Sequence, residues 1–384
     1  MEADVCIIGA GVMGSAAAYW MSKTDDLNVV LVEQYSIGND YCSSHDANRV
    51  FRYSYGSDKL YAKMAMETLP LWKSLEQDSG EQLLIPSGLL LVDGDDEESN
   101  RFNRESCVTL REMGVPVEEL DESNLKERFP QFTATHAYLD PHGAVLLASK
   151  ILASLSGLAR KRGVKVLENH KVTRLKAEDQ VEVETSGGTI QAAKVIVTIG
   201  PWSNTLRSES LSQITPTRQQ IFYFQPNDLS PYRPNKFPVF FADQYYGIPA
   251  AGIDAVKVSH KGLADPVDPD SANRSVDLGM GATCREICGR FIPSLADAPI
   301  HRSKVCLYDM APNSDFIIAP DPERPSVIYG YGFSGHGFKF ATFVGKLLAE
   351  LAMDLPPSFD LRRFTPKTAQ PREQATLTAG NHLE

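Results

Sequence analysis

The chain has 384 residues, more than one ordinary domain holds, because single hydrophobic cores stop growing near about 250–300 residues. It carries 38 Lys and Arg against 49 Asp and Glu, which gives a net charge of −11. No segment contains a long run of residues with the same charge. The sequence therefore predicts two lobes and excludes a basic surface for nucleic acid. With 42% hydrophobic and 23% charged residues, the composition is that of an ordinary soluble globular protein.

Six cysteines are scattered along the chain, and no two show the two-residue spacing of a zinc knuckle or a thioredoxin-like site. We therefore expect reduced thiols, no metal centre and a reducing compartment. The N-terminus lacks the basic flank and cleavage site of a signal peptide, and no apolar run is long enough to span a membrane. The last four residues are not a Ser-Lys-Leu peroxisomal signal. The sequence predicts a cytoplasmic protein, with a peroxisomal location open if the native C-terminus differs.

The first residues predict a turn that binds a nucleotide. An apolar, β-branched run at 4–8 leads directly into Gly9-Ala-Gly-Val-Met-Gly14, and a helix-like segment follows at 15–22. Gly9 suits the tight turn, Gly11 lets the backbone approach a pyrophosphate, and Gly14 permits close packing of the helix on the strand.

A second predicted strand at 28–32 ends on Glu33, 19 residues after Gly14. An acidic side chain at this distance binds a ribose hydroxyl and disfavours a 2′-phosphate. The pattern predicts a dinucleotide site, and it does not choose between NAD and FAD.

Further elements follow from periodicity. In chain order they are a helix from Leu60 to Leu75, paired strands within 82–93, a helix at 145–162, strands at 164–168, 171–175, 181–185 and 194–199, and a helix at 341–353. The tail after residue 365 is polar, and we expect it to be loosely held.

Glycines alternate with aromatic residues near the end of the chain. They are Gly330, Gly332, Gly335 and Gly337, within the segment 326–340. The pattern is typical of backbone passing close to something large and flat, and a tight turn packed by Phe333 and Phe338 is the alternative. We favour a ligand, because Lys339 follows at once.

Four stretches make the chain similar to the monomeric sarcosine oxidase family, within the D-amino-acid-oxidase-like group of FAD-dependent amine oxidases that also contains fructosyl amino acid, pipecolate and saccharopine oxidases. The stretches are 9–14, 43–56, 305–308 with 315–318, and 332–340. The resemblance extends to about residue 365. It implies an α/β fold, in which a Rossmann-like FAD-binding domain carries a second, α+β substrate domain built on an antiparallel sheet.

The resemblance also implies a discontinuous domain organisation. The FAD-binding domain is expected at 1–85, 145–215 and 300–384, and the substrate or catalytic domain at 86–144 and 216–299.

The resemblance implies that FAD is bound, with a covalent thioether from Cys306 to the flavin. Cys284 and Cys288 lack the matching context and are expected to be structural. The cofactor-binding residues implied are Gly9, Gly11, Val12, Met13, Gly14, Glu33, Ser44, Arg49, Val172, Cys306, Gly335, Gly337 and Lys339.

The family pattern further implies roles for residues near the flavin. Lys257 would activate dioxygen, since a nearby cation stabilises superoxide as it forms. The catalytic residues implied are Lys257, Arg49, His45 and Tyr308, and the residues implied to bind substrate are Arg52, Lys339, Tyr246 and His260. Tyr245 is the alternative to Tyr246 if the register slips, and the segment from Lys257 to His260 is one residue shorter than in the bacterial sarcosine oxidases.

The resemblance implies an oxidase of secondary amino acids that forms hydrogen peroxide, acts on a small amino acid with O2, and is a monomer. Asp46-Ala-Asn48 departs from the Gly-Asp-Thr of bacterial sarcosine oxidases and resembles fungal relatives that oxidise fructosyl amino acids or saccharopine. A substrate other than sarcosine is therefore open. The alternatives are a flavin-dependent dehydrogenase with another acceptor, an NAD-dependent dehydrogenase and a non-catalytic flavoprotein.

Overall fold

A computed structural model describes residues 1–262 and 265–365, so the polar tail after residue 365 lies outside the described residues. The α-helices are Val12–Met21 (α1), Lys59–Ser79 (α2), Glu97–Glu112 (α3), Glu122–Arg128 (α4), Ala148–Lys161 (α5), Leu278–Phe291 (α6) and Ala341–Ala352 (α7). Short 3-10 helices cover Gly200–Thr205, Ser230–Tyr232, Pro293–Leu295 and Phe338–Phe340. In this described part of the chain, no helix is long and apolar enough to cross a membrane.

The strands follow the chain from the N-terminus. They are Glu2–Ile8 (β1), Val29–Val32 (β2), Arg49–Phe51 (β3), Leu84–Pro86 (β4), Leu89–Val92 (β5), Glu118–Asp121 (β6), His136–Asp140 (β7), Ala144–Leu146 (β8), Lys165–Leu167 (β9), Val172–Ala177 (β10), Val181–Thr185 (β11), Gly188–Val197 (β12), Thr215–Phe224 (β13), Val239–Ala242 (β14), Tyr245–Ile248 (β15), Val256–His260 (β16), Asp265–Pro266 (β17), Ile300–Met310 (β18), Ile317–Pro320 (β19) and Val327–Tyr331 (β20).

An eight-stranded mixed sheet contains the predicted nucleotide turn. Its central strands β12, β1, β2 and β9 are parallel neighbours, and β20 pairs in parallel with the end of β12. The second half of β1 and all of β2 are buried, as expected for parallel strands covered on both faces. Helix α1 packs against α5 and α7 on this sheet. The carboxyl ends of β1, β2 and β12 therefore meet at one edge, where such folds bind ligands.

The second large sheet has nine strands. Eight of them follow the order β17, β13, β16, β15, β14, β5, β7 and β6, and β18 also pairs with β13. Its pairs are antiparallel except for β14 with β5. Strand β18 follows the predicted boundary at residue 300, yet it pairs with β13 along its length, from Thr215 with Met310 to Phe224 with Ile300. This strand therefore belongs to the antiparallel sheet while its end reaches the edge of the mixed sheet.

A small sheet of β3, β8 and β4 lies apart from both. It corrects the prediction of paired strands within 82–93, because β4 pairs with β8, whereas β5 pairs with β7 and β14. The chain changes sheet between them at Gly88, whose φ of 71° is left-handed. The predicted helix at 145–162 is also shortened at its start, because the buried Ala144–Leu146 forms β8 and α5 begins at Ala148.

Other predicted elements are confirmed. The strand at 4–8 lies within β1, the helix at 15–22 overlaps α1, the helical period from Leu60 lies within α2, and the helix at 341–353 corresponds to α7. A Cβ at Gly14 would lie 1.9 Å from the carbonyl oxygen of Gly9. The glycine is therefore required for the close approach of α1 to the turn.

Candidate active site

A cavity of about 530 Å³ opens at the carboxyl edge of the mixed sheet, beside Ile8, Val32 and Thr198. Its volume is that of pockets that bind small molecules and cofactors. The predicted site residues that line it are Gly9, Gly11, Val12, Met13, Glu33, Ser44, Arg49, Arg52, Val172, Tyr246, Cys306, Tyr308, Gly335, Gly337 and Lys339. The structure thus brings residues from both large sheets to one cavity, while Gly14, His45, Lys257 and His260 are not among its lining residues.

One part of the cavity has the donors and acceptors that a dinucleotide requires. Gly11 is the N-cap of α1 and offers no side chain to cap it, so the first-turn amides beyond that of Val12 are left to bind an anion. Ser44 Oγ accepts a hydrogen bond of 2.9 Å from Val12 N, which ties the loop after β2 to this helix end. Glu33 Oε2 accepts from Ala10 N at 2.8 Å, and burial raises the pKa of its carboxyl group. These residues fit a pyrophosphate at the helix end and a ribose beside Glu33.

The glycine-rich segment after β20 forms another wall. Gly335 has a φ of 76°, and a Cβ there would lie 2.3 Å from the ring of Tyr308. A Cβ at Gly337 would likewise lie 2.5 Å from the Cβ of Phe333 and 2.8 Å from the first atom of its ring, Cγ. Gly337 thus packs against Phe333, as the packed-turn alternative expects, whereas Gly335 packs against Tyr308, and the same backbone lines the cavity.

Cys306 lies on β18 opposite Gln219, with only 2% of its surface exposed. Burial raises the pKa of its thiol, and the positive charge of Arg49 opposes that shift. The thiol belongs to the cavity wall rather than to the apolar core of α6, where Cys284 and Cys288 are buried.

Arg49 and Lys257 share one carboxylate. Lys257 Nζ lies 2.6 Å from Asp46 Oδ2, and an Arg49 guanidinium nitrogen forms a short ion pair with the same oxygen. Tyr223 donates its hydroxyl proton to the other Asp46 oxygen. Lys257 also donates to the carbonyl oxygen of Asn48 at 3.2 Å. Because two cations meet one carboxylate, the cluster retains a positive charge behind the cavity wall.

The charges in this cluster determine its protonation. Burial alone would raise the pKa of Asp46, but the cations of Lys257 and Arg49 outweigh it and hold the pKa below its ordinary value. Burial lowers the pKa of Lys257 to about 8, against the attraction of Asp46. At neutral pH the cluster therefore holds an ionised Asp46 and a protonated Lys257.

Arg52 and Lys339 form a second cationic pair. One Arg52 guanidinium nitrogen is buried without a hydrogen-bond partner, and its Cζ lies 4.1 Å from the centre of the Tyr55 ring. Lys339 Nζ donates to Tyr55 Oη at 2.8 Å and to the carbonyl oxygen of His336 at 2.7 Å. Burial, followed by the charge of Arg52, lowers the pKa of Lys339 well below its ordinary value.

Neither cation of this pair has an ion pair with a carboxylate among residues 1–262 and 265–365, although both line the cavity. An unpaired buried ammonium is costly and readily loses its proton, and an anionic ligand would relieve that cost and favour the charged form of Lys339.

Two tyrosines complete the walls. Burial raises the pKa of Tyr246 to about 12 and that of Tyr308 still further, so both phenols are neutral. Tyr245 is not a lining residue, and its ring contacts His260 at 4.7 Å in a T-shaped geometry. The register with Tyr246 in the wall is therefore the one that the structure adopts.

His45 and His260 lie outside the cavity lining as the structure describes it. His45 Nδ1 lies 2.5 Å from Lys304 Nζ and 2.9 Å from Asp40 Oδ1. The next residue after His260, Lys261, lines the cavity instead. Side chains of neighbouring residues in an extended segment point in opposite directions, so His260 and Lys261 do not both face the cavity.

Sequence reasoning missed two charged residues of the site. In the sequence Asp46 is only a departure from the family pattern, whereas its bonds to Lys257 and Arg49 give it a structural role. Lys261 had no motif to single it out, and only its position next to a predicted site residue could have drawn attention to it.

The chain matches the family of FAD dependent oxidoreductases over residues 4–351. It is 29% identical over 374 residues to the monomeric sarcosine oxidase of Bacillus sp. (strain B-0618), covering 94% of this chain and 95% of that protein. It is 31% identical over 375 residues to the peroxisomal sarcosine oxidase of Homo sapiens, with 94% and 95% covered.

The fold is similar to that of the glycine oxidase from Geobacillus kaustophilus, with a TM-score of 0.85, 19% identity, and 96% and 99% of the two chains covered. The predicted fold class is thereby confirmed. The family match implies FAD, which resolves the choice that the glycine turn left open. The chain belongs to the family of FAD-dependent oxidoreductases that contains the monomeric sarcosine oxidases.

Proposed function

We propose that this protein is an FAD-dependent oxidase of secondary amino acids. The reaction converts an N-substituted amino acid, O2 and H2O into a free amine or amino acid, an aldehyde or ketone, and H2O2. The observation that carries the proposal is the pair of Arg52 and Lys339, which line the cofactor-sized cavity without a carboxylate partner among the described residues. A substrate carboxylate would supply the missing negative charge.

The cofactor would be held by the turn at Gly11, by Glu33 and by Ser44, which have the donors and acceptors for its pyrophosphate and ribose. When bound, FAD supplies a two-electron acceptor that dioxygen can reoxidise. Covalent attachment through Cys306 is part of the proposal, supported by a buried thiol in the cavity wall.

Arg52 and Lys339 have a second consequence for the substrate. Their positive charges lie in a site of low exposure, where a like charge is disfavoured. They therefore favour the neutral amine over the ammonium ion, and the neutral amine is the form whose C–H bond can be oxidised. The two neutral tyrosines, Tyr246 and Tyr308, would enclose the substrate and exclude water.

Lys257 is proposed to promote the reaction with dioxygen. It lies behind Tyr246, with Nζ 5.9 Å from the centre of that ring, and shares Asp46 with Arg49. The cluster keeps one positive charge in excess, and a fixed cation stabilises negative charge as it develops on oxygen.

The domain boundaries, the monomeric state and the cytoplasmic location remain predictions. The two large sheets support a division into an FAD-binding part at 1–85, 145–215 and 300–384, and a substrate part at 86–144 and 216–299. We propose that division with one change, the transfer of β18 to the substrate part, because β18 pairs with β13.

The test is a peroxide-coupled assay of the flavin-loaded protein with sarcosine, pipecolate, N-methyl aromatic amino acids, fructosyl amino acids and saccharopine. We expect peroxide from at least one of them. Arg52→Met and Lys339→Met should each raise KM by about 10-fold or more, because each removes a charged hydrogen bond to the carboxylate. Flavin reduction without peroxide would instead indicate a dehydrogenase with another acceptor, and no reduction by any compound would contradict the proposal.

A further inference from the structure

A third cation lines the same cavity and has no role in the function proposed above. Lys261 follows the last residue of β16, and its backbone N–H donates to the carbonyl oxygen of Gln244 at 2.7 Å, which fixes its position. Its Nζ lies 5.1 Å from the centre of the Phe241 ring. The Arg52 Cζ lies at the same distance from that ring, so the two cationic centres are at most twice that distance apart.

Lys261 forms no ion pair and no side-chain hydrogen bond within residues 1–262 and 265–365. Three acidic residues act on it from a distance, namely Asp96, Asp243 and Glu98. Asp243 is already paired with Arg290 at 2.9 Å.

Asp96 is also engaged elsewhere. Its carboxylate caps α3 by accepting a hydrogen bond from Ser99 N at 3.1 Å. Glu98 is exposed on the same helix. The Lys261 ammonium is therefore left to a ligand rather than to a neighbouring carboxylate.

An ordinary amino acid would bring a single carboxylate to this cavity. Arg52, Lys261 and Lys339 face it without a paired carboxylate in the described chain, although the protein as a whole has a net charge of −11. One α-carboxylate held by Arg52 and Lys339 would leave the Lys261 ammonium without a counter-charge. The Asp46 carboxylate cannot neutralise Lys261, because it is already paired with Lys257 and Arg49.

We propose that Lys261 binds a second acidic group, carried by the N-substituent of the substrate, and that the substrate class is therefore the dicarboxylic secondary amino acids. This inference rests on the proposed function. Arg52 and Lys339 hold the α-carboxylate, Lys261 holds the acid a few carbon atoms beyond the amine, and the Phe241 ring packs on the apolar atoms between them. Lys261 is a specificity-determining residue, since it contacts neither the amine nor the bond that is oxidised.

The experiment compares matched substrates that differ only in the second acid. The pairs are iminodiacetate with N-ethylglycine, and N-(2-carboxyethyl)glycine with N-propylglycine, assayed with the flavin-loaded wild type and variants. We expect the wild type to have a higher kcat/KM for at least one dicarboxylate than for its neutral partner. Lys261→Met should raise the KM for that dicarboxylate at least 10-fold and leave the KM for the neutral partner within about 2-fold. Lys261→Arg, which keeps the charge, should retain the preference.

Binding is measured separately from turnover. Thiodiacetate and (ethylthio)acetate have a thioether in place of the amine, and their binding is followed by the change in flavin absorbance. Lys261→Met should weaken the binding of thiodiacetate alone. Lys126→Met is the control, because Lys126 is an exposed lysine of α4 outside the cavity. This variant should bind both thioethers as tightly as the wild type does.

The two proposals fail in different ways. Oxidation of the neutral partners with no preference for either dicarboxylate would overturn the role of Lys261 and leave the oxidase intact. If Lys261→Met weakened the binding of both thioethers equally, that result would also overturn the role of Lys261, since it indicates a structural effect. Failure of every amine to reduce the flavin would overturn the proposed function itself.

Discussion

Lys257 Nζ lies 2.6 Å from Asp46 Oδ2, and 1% and 0% of the two side chains are exposed. Arg49 is paired with the same oxygen. One carboxylate oxygen thus joins the cation that we propose for the oxygen reaction to the arginine that lines the cofactor cavity. The position and net charge of both cations depend on Asp46.

Asp46→Asn should destabilise the fold, because it leaves two buried cations without their carboxylate. Removing one partner of a buried ion pair costs about 3–5 kcal/mol, which urea unfolding of the protein would measure. Asp254→Asn is the control, since the Asp254–Arg233 pair is largely exposed and should contribute little. The double variant Asp46→Asn with Lys257→Met should recover part of the loss. Full stability of Asp46→Asn would contradict the pairing.

Cys306→Ala should release the flavin. After acid precipitation, the wild type should keep the yellow colour in the pellet, and the variant should leave it in the supernatant. Cys42→Ala is a matched control, because Cys42 also lines the cavity. Colour that stays with precipitated Cys306→Ala would refute attachment at that residue.

The preference for a second acid should depend on pH. Burial, then repulsion from Arg52, lowers the pKa of Lys261 to about 8, so the ammonium is present below that pH and is lost as the pH rises through it. The ratio of kcat/KM for iminodiacetate to that for N-ethylglycine should therefore fall about 10-fold from pH 7 to 9.5. The amines of the two substrates titrate differently, so the ratio measured for Lys261→Arg supplies the baseline. Lys261→Arg should show no such fall, and a wild-type ratio that is flat over this range would count against the assignment.

Gly14→Ala should destabilise the protein, contrary to the usual gain from alanine in a helix. Its Cβ would lie 1.9 Å from the Gly9 carbonyl oxygen, and backbone cannot move aside as a side chain can. We expect a loss of about 1–3 kcal/mol and weaker FAD retention. Gly157→Ala is the control on α5, where nothing lies within 4 Å of the new Cβ and a gain of about 0.5–1 kcal/mol is expected. A melting temperature above that of the wild type in both variants would refute the close approach of Gly14 to the Gly9 carbonyl.

The sequence predicted the parts of the site that local pattern or a family motif determines. The strand, turn and helix around Gly9 follow from residue types within 20 positions, and Arg52, Cys306 and Lys339 indeed line one cavity. Other features depend on contacts between distant parts of the chain. Asp46 and Lys257 are 211 residues apart, and no local pattern could pair them.

The apolar sequence of 82–93 predicts paired strands, which correspond to β4 and β5. They joined different sheets instead, since the left-handed Gly88 turns the chain away. Likewise, the side chains of neighbouring residues in an extended segment point in opposite directions. That is why Lys261, and not His260, lines the cavity.

The most direct measurement follows the two half-reactions separately in a stopped-flow instrument. Anaerobic mixing of the flavin-loaded wild type with a secondary amino acid should bleach the flavin, and admission of oxygen should restore the colour with one H2O2 per flavin. Lys257→Met should bleach at a rate within a few-fold of the wild type and recover its colour on the order of 10²-fold more slowly. A wild type that no secondary amino acid bleaches, or whose reduced flavin does not react with oxygen, would contradict the account.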